Sequence, residues 1–324
     1  MILLLQYTLI FASVLILVAL GGCFAEHSGV INLGLEGIMI MGALGGALTM
    51  RYVPNTAPAI VMLLAVIVVS ALVGMVYSCL LAVASINFKA DQTLVGTALN
   101  LLAPALVLFF VRIIANQNTL QMQEGDAASW FMIKKTTLGF EKNADLGFLG
   151  NTLLHKVYLA TYICIILFIV LSIILYKTKF GLRLRACGEH PQAADSVGIN
   201  VYKMRYAGVV ISGALGAIGG LAYIVPPVQT WNFEVGVAGA GFLAMAVMIF
   251  GQWKPFNICG AAMFFAVFKS LANIADSTFL AQLHWSSNIY NMMPFVASMV
   301  ILAFTSKNSM APKAEGIPYD KGSR

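Results

Sequence analysis

Long uninterrupted apolar runs limit what this chain can fold into more than any other feature of its sequence. No Asp, Glu, Lys or Arg occurs between Arg51 and Lys89, and about 20 mostly apolar residues are enough for a helix to cross the hydrocarbon core of a bilayer. Only 10% of the 324 residues are charged, against about a quarter in a typical soluble domain. Because these runs are continuous rather than alternating, the sequence predicts an all-α polytopic membrane protein and not a β-barrel.

The apolar runs form about nine predicted spans, with roughly eight to ten as the range, within one membrane domain of residues 1–324. The spans are predicted at 3–22, 30–49, 58–84, 93–112, 157–176, 206–225, 236–253, 257–275 and 289–305. The first lacks the basic residues that precede the apolar core of a signal peptide, so it is interpreted as a retained span. The third is longer than a bilayer requires and is expected to tilt or to extend beyond it.

Polar side chains inside the predicted spans are candidates for lining or gating a passage, because a polar group in hydrocarbon normally faces a cavity or a partner. The candidates are Asn32, Glu36, Gln92 and Asn100. Asn32 and Glu36 are four residues apart and are predicted to share a helical face. Glycines within residues 29–37 weaken a regular helix there and predict a break. Asn32 and Glu36 could equally brace the broken helix instead of lining a pathway.

The polar segment 177–205 stands between two long apolar runs and carries six of the chain's 19 Lys and Arg residues. The segment 306–324 is also basic, whereas 226–235 and 276–288 contain no Lys or Arg. Cytoplasmic loops retain basic residues, so 177–205 and a disordered tail at 306–324 are predicted to be cytoplasmic. The hydrophilic stretch 113–156 is then extracytoplasmic, and an odd number of spans puts Met1 outside.

Several other chemistries find little support in the sequence. The chain has no GxxxxGK[ST] motif to bind a nucleotide. The five cysteines show no CxxC spacing and the four histidines lie far apart, so neither a disulfide framework nor a metal site is indicated. The net charge of +6 comes from loops beside membrane spans and does not indicate nucleic acid binding. The predicted spans contain no nucleophile paired with a base, so the sequence does not indicate an intramembrane enzyme.

Closely spaced glycines predict where helices approach one another. Gly42 and Gly46, and again Gly216 and Gly220, have the GxxxG spacing that brings helix backbones together in lipid. Bundle packing is the favoured interpretation, and a gate or a dimer seam is the alternative. The cluster of glycines within 236–241 is also interpreted as helix packing, since it lacks the strand and helix context of a dinucleotide site.

Three motifs carry a resemblance to a known family. They are GVINLGLEGIMIMGALGGAL at 29–48, TKFGLRLRACGEHPQAADSVGINV at 178–201 followed by SGALGAIGGLAY at 212–223, and GFLAMAVMIFGQWKP at 241–255. In order and spacing, the chain resembles permease subunits of ATP-binding-cassette importers that serve simple sugars, nucleosides and branched-chain amino acids. The NLGLEG sequence is most similar to the nucleoside branch.

The resemblance implies an importer of the bacterial cytoplasmic membrane that works by alternating access. A cytoplasmic ATPase would use ATP, a second and longer permease would complete a heterodimeric pore, and an extracytoplasmic binding protein would deliver substrate, while this chain would bind no cofactor. The ATPase-coupling residues implied by the resemblance are Gly188, Glu189, Ala193, Ala194, Gly198 and Ile199.

A secondary transporter coupled to ions or protons is the alternative interpretation. Glu36, Asp91 or Lys269 would then carry the coupling charge, because each lies in or beside a predicted span.

Overall fold

The described part of the chain is a bundle of α-helices with a few very short strands. The structure, a computed structural model, describes residues 2–53, 58–117, 119–121, 132–133, 141, 147–154, 157–225, 230–232, 236–274, 287–305 and 310–322. The helices are α1 Ile2–His27, α2 Leu35–Tyr52, α3 Ala59–Ala82, α4 Gln92–Ala115, α5 Gly147–Leu154, α6 Leu159–Lys177, α7 Lys179–Glu189, α8 Pro191–Ser196, α9 Val201–Ile224, α10 Ala240–Phe250, α11 Pro255–Ile274 and α12 Ser287–Thr305. A π-helical turn, Val83–Asn87, extends α3.

Every predicted span coincides with a helix, but the helices are not equally suited to crossing a bilayer. Within the described residues, six are long and apolar enough: Ile2–His27, Ile60–Asn87, Gln92–Ala115, Leu159–Lys177, Val201–Ile224 and Pro255–Ala272. The third of the predicted spans is indeed extended, because α3 continues into its π-helical turn and Ile60–Asn87 is a continuous span of 28 residues. By contrast, α10 has only 11 residues, which corresponds to about 16 Å. The protein is thus a multi-pass membrane protein, and the count of nine spans stays a prediction.

Helix α9 lies at the centre of the bundle, packed against α1, α2 and α3. Glycines allow this close approach. A Cβ at Gly42 of α2 would overlap Ala217 of α9, and a Cβ at Gly220 of α9 would overlap the carbonyl oxygen of Met39. Both predicted GxxxG pairs therefore serve packing inside the bundle, because small residues let backbones meet where lipid supplies no hydrophobic driving force.

Short antiparallel strands join loops at one end of the bundle. β1, Thr119–Gln121, pairs with β4, Thr230–Asn232, and β2, Met132–Ile133, pairs with β3, Val157–Tyr158. The hydrophilic stretch after α4 and the loop after α9 therefore lie on the same side. Helix α1 begins at this end, where it contacts α5 and β3, and it ends beside α7. The polar segment 177–205 is accordingly at the opposite end from the start of α1.

The C-terminal segment 310–322 is docked against the protein, and the prediction that it is disordered is wrong. Lys89, just after the π-helical turn, forms an ion pair with Asp320 at 2.8 Å. The backbone N–H of Met310 donates to Oε1 of Gln252 at 2.9 Å. Sequence composition alone missed this because the segment is short and polar, and its partners come from loops distant in sequence. We call residues 310–322 the docked tail.

Candidate functional site

A break inside the bundle separates α1 from α2. Helix α1 ends at His27 and α2 begins at Leu35, and Gly29 adopts a φ of +90° that favours glycine. A Cβ at Gly22, about 8 Å before the end of α1, would lie 3.3 Å from a methyl group of Leu35. The non-helical residues 28–34, which we call the glycine-rich break, therefore extend back into the bundle. The predicted break at 29–37 is present at this place.

Two amide side chains of α4 hold the glycine-rich break by its backbone. Asn100 accepts a hydrogen bond from the N–H of Gly37 at 2.8 Å through Oδ1 and donates one to the carbonyl of Leu33 at 2.7 Å through Nδ2. Gln92 accepts from the N–H of Ile31 at 2.7 Å. Backbone groups outside a regular helix need such partners in a membrane protein. Both candidates thus contact the break directly.

Asn32 lies within the break and contacts the centre of α9. Its Nδ2 donates to Oγ of Ser212 at 2.8 Å. The prediction that Asn32 and Glu36 share a helical face is wrong, because the helix begins only at Leu35. Oδ1 of Asn32 and Nε2 of Gln92 are buried and make no hydrogen bond within the described part of the chain. A buried polar atom without a hydrogen bond costs about 1–3 kcal/mol of stability. Both atoms can still form a further polar contact.

The buried carboxylate of Glu36 closes the N-terminus of α10. Its Oε1 accepts from the N–H of Gly239 at 2.9 Å, and its Oε2 accepts from the N–H of Gly241 at 2.6 Å. The first N–H groups of a helix lack intrahelical partners and favour a negative charge. Gly239 has a φ of +74°, and a Cβ at Gly241 would overlap the Glu36 backbone. We call this contact the Glu36 clasp.

The glycine cluster before α10 therefore does more than allow helix packing, which was the interpretation of the sequence alone. It presents backbone donors to a carboxylate from another helix. The available signal was a run of glycines directly before a short apolar helix, combined with a lone acidic residue in an apolar segment. As a result, α2 and α10 both begin inside the bundle and meet at Glu36, an arrangement typical of the discontinuous helices of transporters.

A small cavity lies beside this meeting point. Its walls include Phe11, Tyr223, Phe295 and Lys269, and its volume is about 10 Å³. That is room for about one water molecule. The Lys269 ammonium interacts electrostatically with Glu36. In this conformation the cavity is too small to hold an organic solute.

The predicted coupling residues divide into buried and exposed members. A Cβ at Gly188, in α7, would overlap the carbonyl oxygen of His27, and Ala194, in α8, is only 3% exposed. Both are packed inside this chain. Glu189, Ala193 and Gly198 are exposed, and Ile199 is partly buried.

One exposed apolar residue beside these positions, Val197, was not among the predicted coupling residues. Val197 directly follows α8 and is 74% exposed. Together with Glu189, Ala193 and Gly198 it forms what we call the exposed coupling face. Gly198 has a φ of +83°, so that position favours glycine for its backbone conformation, although nothing in the described chain lies within 4 Å of an added Cβ.

The docked tail lies beneath the exposed coupling face. The N–H of Ala314 donates to the carbonyl of Gly188 at 2.8 Å. Tyr319 is buried with Cys187, Ala194 and Val201 in a separate apolar cluster. These contacts connect the tail to α7, α8 and the start of α9.

Arg205 extends the same contact towards the bundle. Its side chain is 1% exposed, its Nη1 donates to the carbonyl of Ile317 at 3.0 Å, and its guanidinium lies 5.9 Å from the ring centre of Tyr319. A buried guanidinium is tolerated only with hydrogen-bond partners and nearby polarizable groups. Removing the tail would therefore leave a charged group of α9 without these contacts.

A pair of carboxylates, buried Glu26 and partly buried Glu315, joins the tail to the end of α1. Glu26 accepts a hydrogen bond from Nε1 of Trp253, and Glu315 of the docked tail is the neighbouring charge. Burial raises the pKa of Glu315 to about 7. The proton occupancy of Glu315 therefore changes close to neutral pH.

The part of the chain that the structure describes holds no cluster of metal-ligating side chains. Among these residues, no group of three or more His, Cys, Asp and Glu side chains could hold a metal ion. The five cysteines are free. The site consists instead of helix ends, amide braces and a polar end surface.

The apolar helices, the glycine-rich break and the two helices that begin inside the bundle define a multi-pass membrane protein of the transporter type. The chain belongs to the family described as branched-chain amino acid transport system / permease component, which matches residues 4–303.

Three similar proteins cover most or nearly all of the chain. The guanosine ABC transporter permease protein NupQ of Bacillus subtilis is 40% identical over 98% of this chain and 96% of its own length. The nucleoside ABC transporter permease protein NupC of Lactococcus lactis is 35% identical over 97% and 95%, respectively. The putative glucose ABC transporter permease protein TsgC13 of Haloferax volcanii is 29% identical over 86% and 79%. No solved structure matches the chain significantly.

Proposed function

We propose that this chain is the transmembrane permease subunit of an ATP-driven importer of nucleosides. The observation that carries the proposal is the similarity, over 98% and 97% of the chain, to permease proteins described as guanosine and nucleoside transporters. The relative described as a glucose permease is less similar, so a simple sugar ranks second as substrate. Movement of substrate by alternating access fits a bundle with interior helix ends, since such ends form sites that open to either side.

Partner subunits supply what this chain lacks. A cytoplasmic ATPase binds and hydrolyses ATP, and an extracytoplasmic binding protein delivers the nucleoside. A second, longer permease completes the pore as a heterodimer. Two different permease proteins of Lactococcus lactis, NupC and NupB, are both similar to this chain, which supports a pair of paralogous permeases.

The exposed coupling face receives the motion of the ATPase. Small residues at Ala193 and Gly198 leave room for a close fit, and Val197 supplies apolar area that a partner can bury. The docked tail transmits this motion, because it contacts both α7 and the buried Arg205 of α9. Segment 177–205 and the tail are then cytoplasmic, 113–156 is extracytoplasmic, and the protein resides in the bacterial cytoplasmic membrane.

The glycine-rich break is where the permeation pathway passes this chain. Buried Asn32 Oδ1 and Gln92 Nε2 are an acceptor and a donor with unused capacity, and polar edges of a nucleoside require such groups. Glu36 and Asn100, by contrast, form hydrogen bonds to backbone groups through their polar atoms. We assign Glu36 and Asn100 to positioning the helix ends, and Asn32 and Gln92 to facing the solute.

Reconstitution into proteoliposomes tests the proposal. Vesicles that contain both permeases and the ATPase should take up labelled guanosine when the binding protein is outside the vesicles and ATP is inside, on the same side as the ATPase. Omission of ATP or of the binding protein should abolish uptake. Uptake by this chain alone, driven by an ion or proton gradient, would replace the proposal with a secondary transporter.

A further inference from the structure

A long groove on the outside of the bundle has apolar walls and a basic end. It lies between the second half of α6 and the start of α11 and has a volume of about 510 Å³. This is within the range of clefts that hold a small organic ligand. The groove is unrelated to the glycine-rich break and to the exposed coupling face, and none of the functions above uses it.

The walls of the groove face the bilayer. Ile169 and Ile173 of α6 are 52% and 51% exposed, and Phe256 of α11 is 81% exposed. Both helices are long and apolar enough to cross a membrane. From Phe168 to Lys177 the groove follows α6 for about 14 Å. An aliphatic chain lying along the helices would cover these side chains.

Two lysines line one end of the groove, and the residues before them are hydrogen-bonded to each other. The Tyr176 hydroxyl donates to the carbonyl of Trp253 at 3.2 Å. Lys177 and Lys254 directly follow these two residues, are exposed and both line the groove. The lining contains no Asp or Glu, so two positive charges lie there without an acidic group among the walls.

The position of this basic end suits a headgroup. Lys177 is the last residue of α6, and Lys254 immediately precedes α11, so both lie where a spanning helix leaves the hydrocarbon. The first turn of α11 adds backbone N–H groups that favour an anion. Basic pockets between membrane helices at this depth bind phosphate-bearing lipid headgroups.

We propose that the groove between α6 and α11 binds an anionic phospholipid, with an acyl chain along Ile169 and Ile173 and the phosphate between Lys177 and Lys254. The lipid would fix the spacing of the two helices, whose contact in this region includes the edge-to-face rings of Phe168 and Phe256, 5.9 Å apart. This binding requires only that the protein is embedded in a membrane, and it stands apart from the choice of substrate.

Native mass spectrometry of the full chain, purified and stripped of lipid, tests the role of the charges. Phosphatidylglycerol should bind in preference to phosphatidylcholine. The double variant Lys177→Gln, Lys254→Gln should lower that preference by about tenfold or more, since each juxtamembrane lysine adds attraction to anionic lipid. Lys203→Gln, which removes an exposed lysine that does not line the groove, should keep the preference.

A second pair of variants tests the groove itself without changing charge. Ile173→Trp should fill the groove and reduce phosphatidylglycerol binding, whereas Val170→Trp, at a 44% exposed residue of α6 outside the lining, should not. Equal binding of both lipids by the wild type, or retention of the preference by the lysine variants, would overturn the proposal. So would cross-linking of Phe256→Cys to a second permease chain in the assembled transporter, because the groove would then be a subunit interface.

Discussion

Among single residues, Glu36 and Glu315 are two carboxylates that hold parts of this membrane protein together. Glu36 satisfies two backbone N–H groups, one just before α10 and one in its first turn, that would otherwise be unpaired in a low-dielectric interior. Glu315 lies in the docked tail close to Glu26 of α1. One carboxylate therefore stabilises a helix end inside the bundle, and the other makes the tail sensitive to protonation.

Replacement of Glu36 tests the Glu36 clasp. Glu36→Gln keeps one acceptor oxygen but turns an amide NH₂ towards a backbone N–H, so one buried donor loses its partner. We expect a loss of stability of about 1–3 kcal/mol, measured as the midpoint of unfolding in mixed micelles, with a parallel loss of transport. Glu189→Gln makes the same chemical change at an exposed carboxylate and should leave the midpoint unchanged. Wild-type stability of Glu36→Gln would contradict the clasp.

Protonation of Glu315 should control how tightly the tail is docked. Burial raises its pKa from the ordinary value of 4.5 to about 7 in the docked state. A raised pKa means that docking is fully stabilised below the pKa of the undocked tail and is weakened as the pH rises through the docked value. Between pH 6 and pH 8 the wild-type tail should lose protection against hydrogen exchange, after correction for intrinsic rates.

Glu315→Gln provides the comparison for this pH dependence. A neutral amide cannot gain the charge that burial opposes, so the tail of this variant should be equally protected at pH 6 and pH 8. Protection of the wild-type tail that is independent of pH, or an equal pH dependence in Glu315→Gln, would remove Glu315 as the titrating group.

At the scale of elements, close helix packing and interrupted helices share the same interior. α9 packs against three other helices through glycines, while α2 and α10 begin within the bundle. Helix α9 is closely packed, so it is a fixed element against which the interior ends of α2 and α10 can move. The stability of this arrangement depends on the absence of side chains at specific glycines.

Two glycine substitutions separate packing from helix propensity. Gly220→Ala would press a methyl group into the Met39 carbonyl oxygen, and overpacking of this kind costs about 1–3 kcal/mol. Gly260→Ala, in α11, has nothing within 4 Å of the added methyl group and should be neutral or stabilising by up to about 1 kcal/mol through helix propensity. Unfolding midpoints measured side by side should move in opposite directions or differ clearly. Equal midpoints would contradict the packing described for α9.

Much of the element order was predictable because hydrophobic length is a local property. The apolar runs located every long helix, and the glycines within 29–37 located the break. The length of α10 was not predictable, since the apolar run 236–253 includes a turn at Gly239 that is stabilised by Glu36, about 200 residues away in sequence. Likewise, nothing local to Ala314 or Tyr319 indicates docking, because their partners are Gly188 and the cluster around Ala194.

The structure brings the four candidate residues of the bundle interior together, whereas their roles stay predictions. Asn32, Glu36, Gln92 and Asn100 all lie at the glycine-rich break or at the Glu36 clasp, as unusual polar residues in apolar segments would suggest. Which of them braces the backbone depends on hydrogen-bond geometry that spacing does not contain. In the coupling segment, small residues at Gly188 and Ala194 serve internal packing, and only the structure separates them from exposed Ala193.

At the scale of the whole molecule, the docked tail and the exposed coupling face form one end, and the glycine-rich break lies deeper in the same bundle. His27, at the end of α1, contacts Gly188 of α7 and directly precedes the break. A displacement of α7 and α8 by an ATPase would therefore act on the break through a short path of packed backbone. Two-state elements connected in this way can be biased by a ligand bound elsewhere.

Nucleoside uptake and ATP hydrolysis, measured together in proteoliposomes of the complete transporter, test the role of the exposed coupling face most directly. Ala193→Trp places a bulky side chain on the exposed coupling face without burying it in this chain, and Ala193→Ser is the matched control. We predict that Ala193→Trp assembles in the membrane but loses at least about tenfold in uptake per ATP hydrolysed or in ATPase binding, while Ala193→Ser transports normally. Uptake by Ala193→Trp at the wild-type rate and stoichiometry would contradict the coupling role of this surface.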